Sequence, residues 1–186
     1  MIEGKRIVLR PVQEQDWSII ESWGKHRAGL WGEFQRFQLD HLPLLRQVFT
    51  QTGMLKRDSG MFLVETLNEP QVIGFVRYTL IEYPDADMPH PEIGFGVPEA
   101  CARGKGYAKE AVGLLVDYLF SNYPAERISA FTDQENLPAQ HVMERIGFQR
   151  EGMLRRSTFR DGEWHDLAIY GLLRNEWETQ NLFTHH

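Results

Sequence analysis

The chain predicts an α/β fold, a single domain spanning residues 1–186 in which helices cover both faces of one mixed sheet. Three observations carry that expectation. Strand-like runs and helical stripes alternate in the order β-α-α-β-β-β-α-β-α-β-β, which fits a layered sheet better than a bundle or sandwich. Two pairs of strand-like runs are joined by turn signals, Asn68-Glu69-Pro70 and Asp161-Gly162, so part of the sheet is antiparallel. At the centre stands an apolar run at 92–97, a loop of small residues, and a glycine-marked helix start, Arg103-Gly104-Lys105-Gly106-Tyr107-Ala108.

Taken in order, residues 5–10 alternate charged and apolar side chains, with Ile7 and Leu9 on one face, and read as a half-buried strand. Asp16 can cap a helix that turns Trp17, Ile20 and Trp23 inward, and Gly24 ends it. Residues 30–37 are aromatic, broken by glycine and without a period. Asp40 offers a cap for a second helix, with Leu44, Leu45 and Val48 as its buried stripe and Gly53 as its stop. Runs 61–66 and 72–81 form a hairpin. Residues 83–91, with three prolines and two aspartates, read as a loop.

The helix after Gly106 shows a stripe at Ala108, Val112, Leu115 and Leu119. Residues 127–131 form a strand. Asn136 caps the next helix, Pro138 sits in its first turn, Ala139, Val142, Met143 and Ile146 are its stripe, and Gly147 stops it. Runs 148–159 and 164–173 make a final long hairpin. Residues 175–186 read as a short tail, with His185 and His186 given no role.

At 186 residues and 42% hydrophobic content the chain can bury a core without disulfides or metals. A net charge of −6 argues against a nucleic-acid partner and suits a cationic substrate. The one cysteine, Cys101, admits no internal disulfide, fits a reducing compartment and reads as a small loop residue. No apolar run approaches a membrane span and the first residues do not resemble a signal peptide, so a cytoplasmic location is expected.

A helix start preceded by glycines leaves backbone N–H groups unpaired, with the positive end of the helix dipole behind them, and this suits a phosphate or pyrophosphate. Arg103 and Lys105 add charge on the same turn. The spacing Arg103-x-x-Gly106-x-Ala108 matches the [QR]-x-x-G-x-[GA] signature of the GNAT superfamily of acyl-CoA-dependent N-acyltransferases. With the strand before it and the 136–148 segment after it, the resemblance covers roughly residues 6–177. The Trp164-His165-Asp166 hairpin resembles the branch of ribosomal-protein N-terminal acetyltransferases.

The resemblance implies a sheet splayed between the 92–97 and 127–131 strands, with acetyl-CoA as co-substrate in the cleft; no metal is expected, because the seven histidines show no metal spacing and Cys101 has no Cys or His partner nearby. It implies that the backbone of Phe95, Gly96 and Val97 meets the pantetheine arm. Arg103, Gly104, Lys105, Gly106, Tyr107 and Ala108 would hold the pyrophosphate. Asn136 falls where the family bonds pantetheine, and it also reads as a helix cap. Glu92 resembles the general base of histone-acetylating relatives; its other reading is a strand-end charge. Trp31, Glu33 and Phe34 fall in the loop that borders the acceptor site in this family, or else pack into the core. Met143 replaces the family tyrosine that helps the CoA thiolate leave, so His141, Tyr107 or water would serve. His165 is structural, or lies near the acceptor mouth.

The function implied is acetyl transfer from acetyl-CoA to a primary amine, on a small molecule or a protein N-terminus, by direct attack through a tetrahedral intermediate. The missing tyrosine leaves a second reading, a catalytically inactive acyl-CoA-binding sensor or scaffold.

Overall fold

The computed structural model describes residues 1–24, 34, 41–82 and 87–182. Its elements are β1 (Ile2–Glu3), β2 (Ile7–Pro11), α1 (Trp17–Gly24), α2 (His41–Thr52), β3 (Ser59–Thr66), β4 (Val72–Ile81) and β5 (His90–Gly96). They continue as α3 (Tyr107–Asn122), β6 (Arg127–Asp133), α4 (Leu137–Ile146), β7 (Gln149–Arg160), β8 (Glu163–Leu173) and α5 (Arg174–Leu182). Eight strands form one sheet in the order β1-β2-β3-β4-β5-β6-β8-β7. The sheet is antiparallel throughout except between β5 and β6.

Each face of the sheet has its own core, because the strands alternate apolar residues on both sides. On one face Ile7, Leu9, Phe62, Val64, Val76, Ile93, Ile128 and Ala130 meet the stripe of α3. That stripe is Ala111, Val112, Leu115, Val116, Leu119 and Phe120, with Ala108 only half-buried. Met143 of α4 is buried in the same cluster. On the other face Met61, Leu63 and Phe75 meet Trp17, Ile20 and Trp23 of α1, with Leu42, Leu45 and Phe49 of α2 packed alongside.

The stripe expected on α2 is rotated. Leu44 is 52% and Val48 38% exposed, while Phe49 turns inward with its ring edge-on to Trp17 at 5.3 Å. Two stripes share Leu45, and the one carrying the aromatic ring buries more apolar surface. The helix cap expected at Asp40 lies outside the described residues.

The expected tail instead carries α5. Its polar sequence has no apolar period, so the helix is held by tertiary contacts. Arg174 donates to Phe120 O, Tyr123 O and Ala125 O, meeting carbonyls at and beyond the end of α3 that the helix itself leaves unpaired. Trp177 stacks on Phe120 at 5.1 Å and donates to Asp117 Oδ1 at 2.7 Å. The strand expected from residue 92 begins two residues earlier, because His90 and Pro91 continue the pairing with Ile81 and Leu80 of β4, and buried His90 also bonds Ser129 Oγ at 2.8 Å across to β6. The Asp161-Gly162 turn is as expected, with φ of 52° and 87° at its two residues, the left-handed pair that a two-residue hairpin needs.

Candidate active site

The parallel contact between β5 and β6 is short. Glu92 pairs with Ser129 and Ile93 with Ala130, and the pairing stops there. Beyond it, Gly94, Phe95 and Gly96 stay paired to β4, and residues 131–133 stay paired to β8. The two strands therefore part after Ile93 and Ala130 and leave a wedge with unpaired backbone edges facing each other. A ligand carrying amide groups can complete such edges, since unpaired backbone polar groups are costly unless solvated or bonded.

Glu92 stands at the root of the wedge, on the face of the sheet that carries α1 and α2. Its side chain is 20% exposed, and Arg77 Nη2 approaches Oε1 at 3.7 Å from the neighbouring strand. Gly94 leaves room for this arginine, because a Cβ there would lie 2.9 Å from Arg77 Nε. Burial raises the Glu92 pKa above the ordinary glutamate value, and the Arg77 charge opposes that rise. A half-buried carboxylate with a raised pKa is suited to accepting a proton near neutral pH.

At the far end of β5 the chain makes a short 3-10 turn and enters the glycine loop. Gly104 and Gly106 have φ of +72° and +82°, which side-chain-bearing residues adopt at a cost. Gly106 is the N-cap of α3, and no side chain caps that end. The Glu110 N–H, bonded to Gly106 O at 3.3 Å, closes the first helical turn. The N–H groups before it have no carbonyl behind them within the helix, so the loop fits an anionic pyrophosphate.

The arginine of the signature is placed differently from a mobile phosphate ligand. Arg103 folds back, Nε donating to Val97 O at 2.9 Å and Nη2 to Pro98 O at 3.2 Å. It ties the end of β5 to the start of the loop. Lys105 is exposed on the same turn, and Tyr107 and Ala108 begin the helix. Phe95, Val97 and Tyr107 lean on the core of the α3 face.

Asn136 is a helix cap: its Oδ1 accepts from Ala139 N at 3.3 Å, and its Nδ2 donates to Thr132 Oγ1 at 3.0 Å. Met143 is core, 1% exposed. Of the residues expected to border the acceptor site, Trp31 and Glu33 lie outside the described residues. Phe34 is described, and its ring faces the Arg160 guanidinium at 5.5 Å.

That contact marks a cluster the sequence did not reveal. Asp133, at the end of β6 and 1% exposed, pairs with Arg160 Nη2 at 2.9 Å. His165 Nδ1 lies 3.6 Å from Asp133 Oδ2 and 3.1 Å from Arg160, and Glu135 lies close by. Among the described residues, Asp133, Glu135 and His165 are the group whose ligand atoms come within 4.8 Å of one another. Arg160 already supplies the cation between them, so an ion-paired cluster fits better than a metal. The β7–β8 hairpin folds Arg160 and His165 over the open end of β6, a placement set by strand register and not by spacing along the chain.

No described helix is long and apolar enough to cross a membrane. Residues 6–149 match the family model described as the acetyltransferase (GNAT) domain. The chain is similar to the "Probable N-acetyltransferase YjcK" of Bacillus subtilis (strain 168), 28% identical over 191 residues, covering 96% of this chain and 99% of that one. It is 25% identical over 177 residues to a spermidine N(1)-acetyltransferase of Vibrio cholerae serotype O1, covering 92% and 95% of the two chains. Among solved structures, the spermidine N-acetyltransferase of Vibrio cholerae in complex with CoA and spermine superposes with a TM-score of 0.79 at 22% identity, over 94% of this chain and 99% of that one. A GNAT-family acetyltransferase of Bacillus anthracis superposes with a TM-score of 0.78 at 24% identity, over the same shares. The split sheet, the uncapped helix start behind its glycines and the match over residues 6–149 agree, and the chain belongs to the acetyltransferase (GNAT) domain family as an acetyl-CoA-dependent N-acetyltransferase.

Proposed function

We propose that this chain acetylates the primary amine of a cationic acceptor, by direct attack on the thioester of acetyl-CoA, with Glu92 as the base that receives the amine's proton. The observation that carries the reading is the position of Glu92, half-buried at the root of the wedge with its pKa raised by burial. In this reading the backbone of Phe95, Gly96 and Val97 pairs with the pantetheine arm. The N–H groups of the 103–108 turn hold the pyrophosphate, with Arg103 acting through the loop it ties down. Asn136 contributes its remaining amide hydrogen.

The attacking amine must be neutral. For a lysine-like amine at pH 7 the deprotonation gap is roughly 3.4 units, about 4.6 kcal/mol, and for an α-amine roughly one unit. Glu92, directly or through a water, takes that proton as the nitrogen attacks. An N–H of Phe95 or Gly96 then stabilises the oxyanion of the tetrahedral intermediate. With Met143 buried in the core, His141, Tyr107 or water protonates the leaving thiolate.

The acceptor class follows from charge. The net charge of −6 and the Glu92 carboxylate at the root of the wedge suit a cation, and Glu135, 71% exposed, adds a second carboxylate beside the Asp133–Arg160 pair. Relatives named for spermidine acetylation have acceptors of this kind. A small polyamine therefore fits better than the N-terminus of a ribosomal protein, the other acceptor the sequence suggests. The enzyme is read as a single cytoplasmic domain.

An acceptor screen tests this by following thiol release from acetyl-CoA with spermidine, spermine, single amino acids and peptides with free N-termini. Polyamines are expected to turn over fastest. Release with peptides alone would reassign the acceptor, and no release with any amine would remove the catalytic reading.

A further inference from the structure

Arg6 lies just before β2, ninety-nine residues before Lys105 in the chain, yet it is bonded into the glycine loop. Its Nη1 donates to Lys105 O at 2.8 Å. Its backbone N–H and Nε donate to the two oxygens of Glu110, each at 2.8 Å, and its guanidinium lies over the Tyr107 ring at 5.0 Å. Nη2 stands 3.4 Å from where a Cβ on Gly106 would be, and among the described residues it has no hydrogen-bond partner.

We propose that Arg6 is a further cofactor-site residue, which sets the orientation of the glycine loop and places its second terminal nitrogen beside the phosphates of CoA. The proposal rests on the acetyl-CoA reading above. The carbonyl and N–H of a trans peptide point in opposite directions, so anchoring Lys105 O also fixes where the Gly106 N–H points. With glycines on both sides of Lys105, the loop backbone has no side-chain restraint of its own against peptide rotation. Arg6 supplies the restraint from outside. Glu110 Oε2 holds the guanidinium through Nε while Oε1 takes the Arg6 backbone N–H, and Lys105 O takes Nη1, which leaves Nη2 for an incoming anion.

The test is calorimetric titration with CoA at several salt concentrations, for the wild type, Arg6→Gln and Arg6→Lys. A phosphate contact is screened by salt, so wild-type affinity should fall as salt rises. Arg6→Gln should weaken CoA binding about tenfold or more at low salt, as loss of a charge-assisted bond does, and flatten the salt dependence. Arg6→Lys should retain the salt dependence and still weaken binding, since an ammonium cannot bond Glu110 and Lys105 O in the same fork. Unchanged affinity in Arg6→Gln overturns the proposal. Weaker binding with an unaltered salt dependence also overturns it, since the role would then be structural alone. Should Arg6→Gln not fold, Arg6→Lys decides, and wild-type affinity in that variant overturns it. A wild type that binds CoA without any salt dependence would instead remove the phosphate-loop reading underneath.

Discussion

The indole N–H of Trp23 donates to Glu99 Oε1 at 2.7 Å, joining the last turn of α1 to the loop that follows β5. One end of this bond lies at the end of α1 and the other in the loop between β5 and the glycine turn, so it ties the helix-covered face that carries Glu92 to the end of β5. Trp23 is 4% exposed, and an unmet polar group there would be costly. Glu99→Ala, which strands the indole N–H, is expected to cost about 1–3 kcal/mol of stability and to raise the acceptor KM. Glu99→Gln keeps an acceptor oxygen and should remain near wild type. Thermal melts and steady-state kinetics on both variants check this, and equal behaviour of Ala and Gln at position 99 would show the bond to be incidental.

Glu92→Gln keeps the shape of the side chain and removes the base. Turnover should drop by roughly 10² to 10⁴, while acetyl-CoA affinity stays the same. A turnover within a few-fold of wild type at neutral pH would leave Glu92 as a strand-end charge.

Arg77 sets the acid limit of that chemistry. A carboxylate base works when ionised, so kcat/KM should fall as pH falls through the Glu92 pKa, which burial raises and Arg77 lowers. Arg77→Met removes the opposing charge. The Glu92 pKa should then rise further, and the acid limb of the kcat/KM profile should move to higher pH. An unmoved limb, or one displaced to lower pH, would separate Arg77 from Glu92.

Gly106→Glu adds a side chain where φ is +82° and a negative charge where a pyrophosphate is read to sit. At a thousand-fold excess over its Kd, acetyl-CoA should stabilise the wild type by about 4 kcal/mol. The variant should melt cooperatively and show no such shift. Normal stabilisation by acetyl-CoA in Gly106→Glu would place the phosphates elsewhere.

Away from the site, Asp16 is 5% exposed and takes two bonds from Arg10, at 2.7 and 2.8 Å, and a third from the Gln13 N–H. Burial alone would raise its pKa, but these bonds outweigh that and hold it below the ordinary aspartate value. A depressed carboxylate contributes stability that is present above the unfolded pKa and lost as pH falls through the folded one. Asp16→Asn should cost about 3–5 kcal/mol at neutral pH. In urea titrations the gap between wild type and variant should narrow as pH is lowered through the acid range, and a gap independent of pH would contradict the pairing.

What the sequence determined by itself was local. Gly104 and Gly106 mark positive backbone angles within a few residues, Asp161-Gly162 defines its own turn, and the stripe of α3 repeats with the helical period. Each of these is settled by short-range sterics or by periodicity, which neighbouring residues carry. The tertiary structure decided what depends on distant partners. The rotation of α2 depends on Phe49 finding Trp17, and α5 forms because Arg174 and Trp177 reach α3. Arg77 reaches Glu92 across a strand pair, and Arg6 bonds a carbonyl ninety-nine residues away. Asp133, Arg160 and His165 meet because the register of β6, β8 and β7 brings them to one end of the sheet. The wedge itself was expected from family resemblance alone, because it is the place where two strands stop pairing, and the residues on either strand carry no sign of where their neighbour leaves.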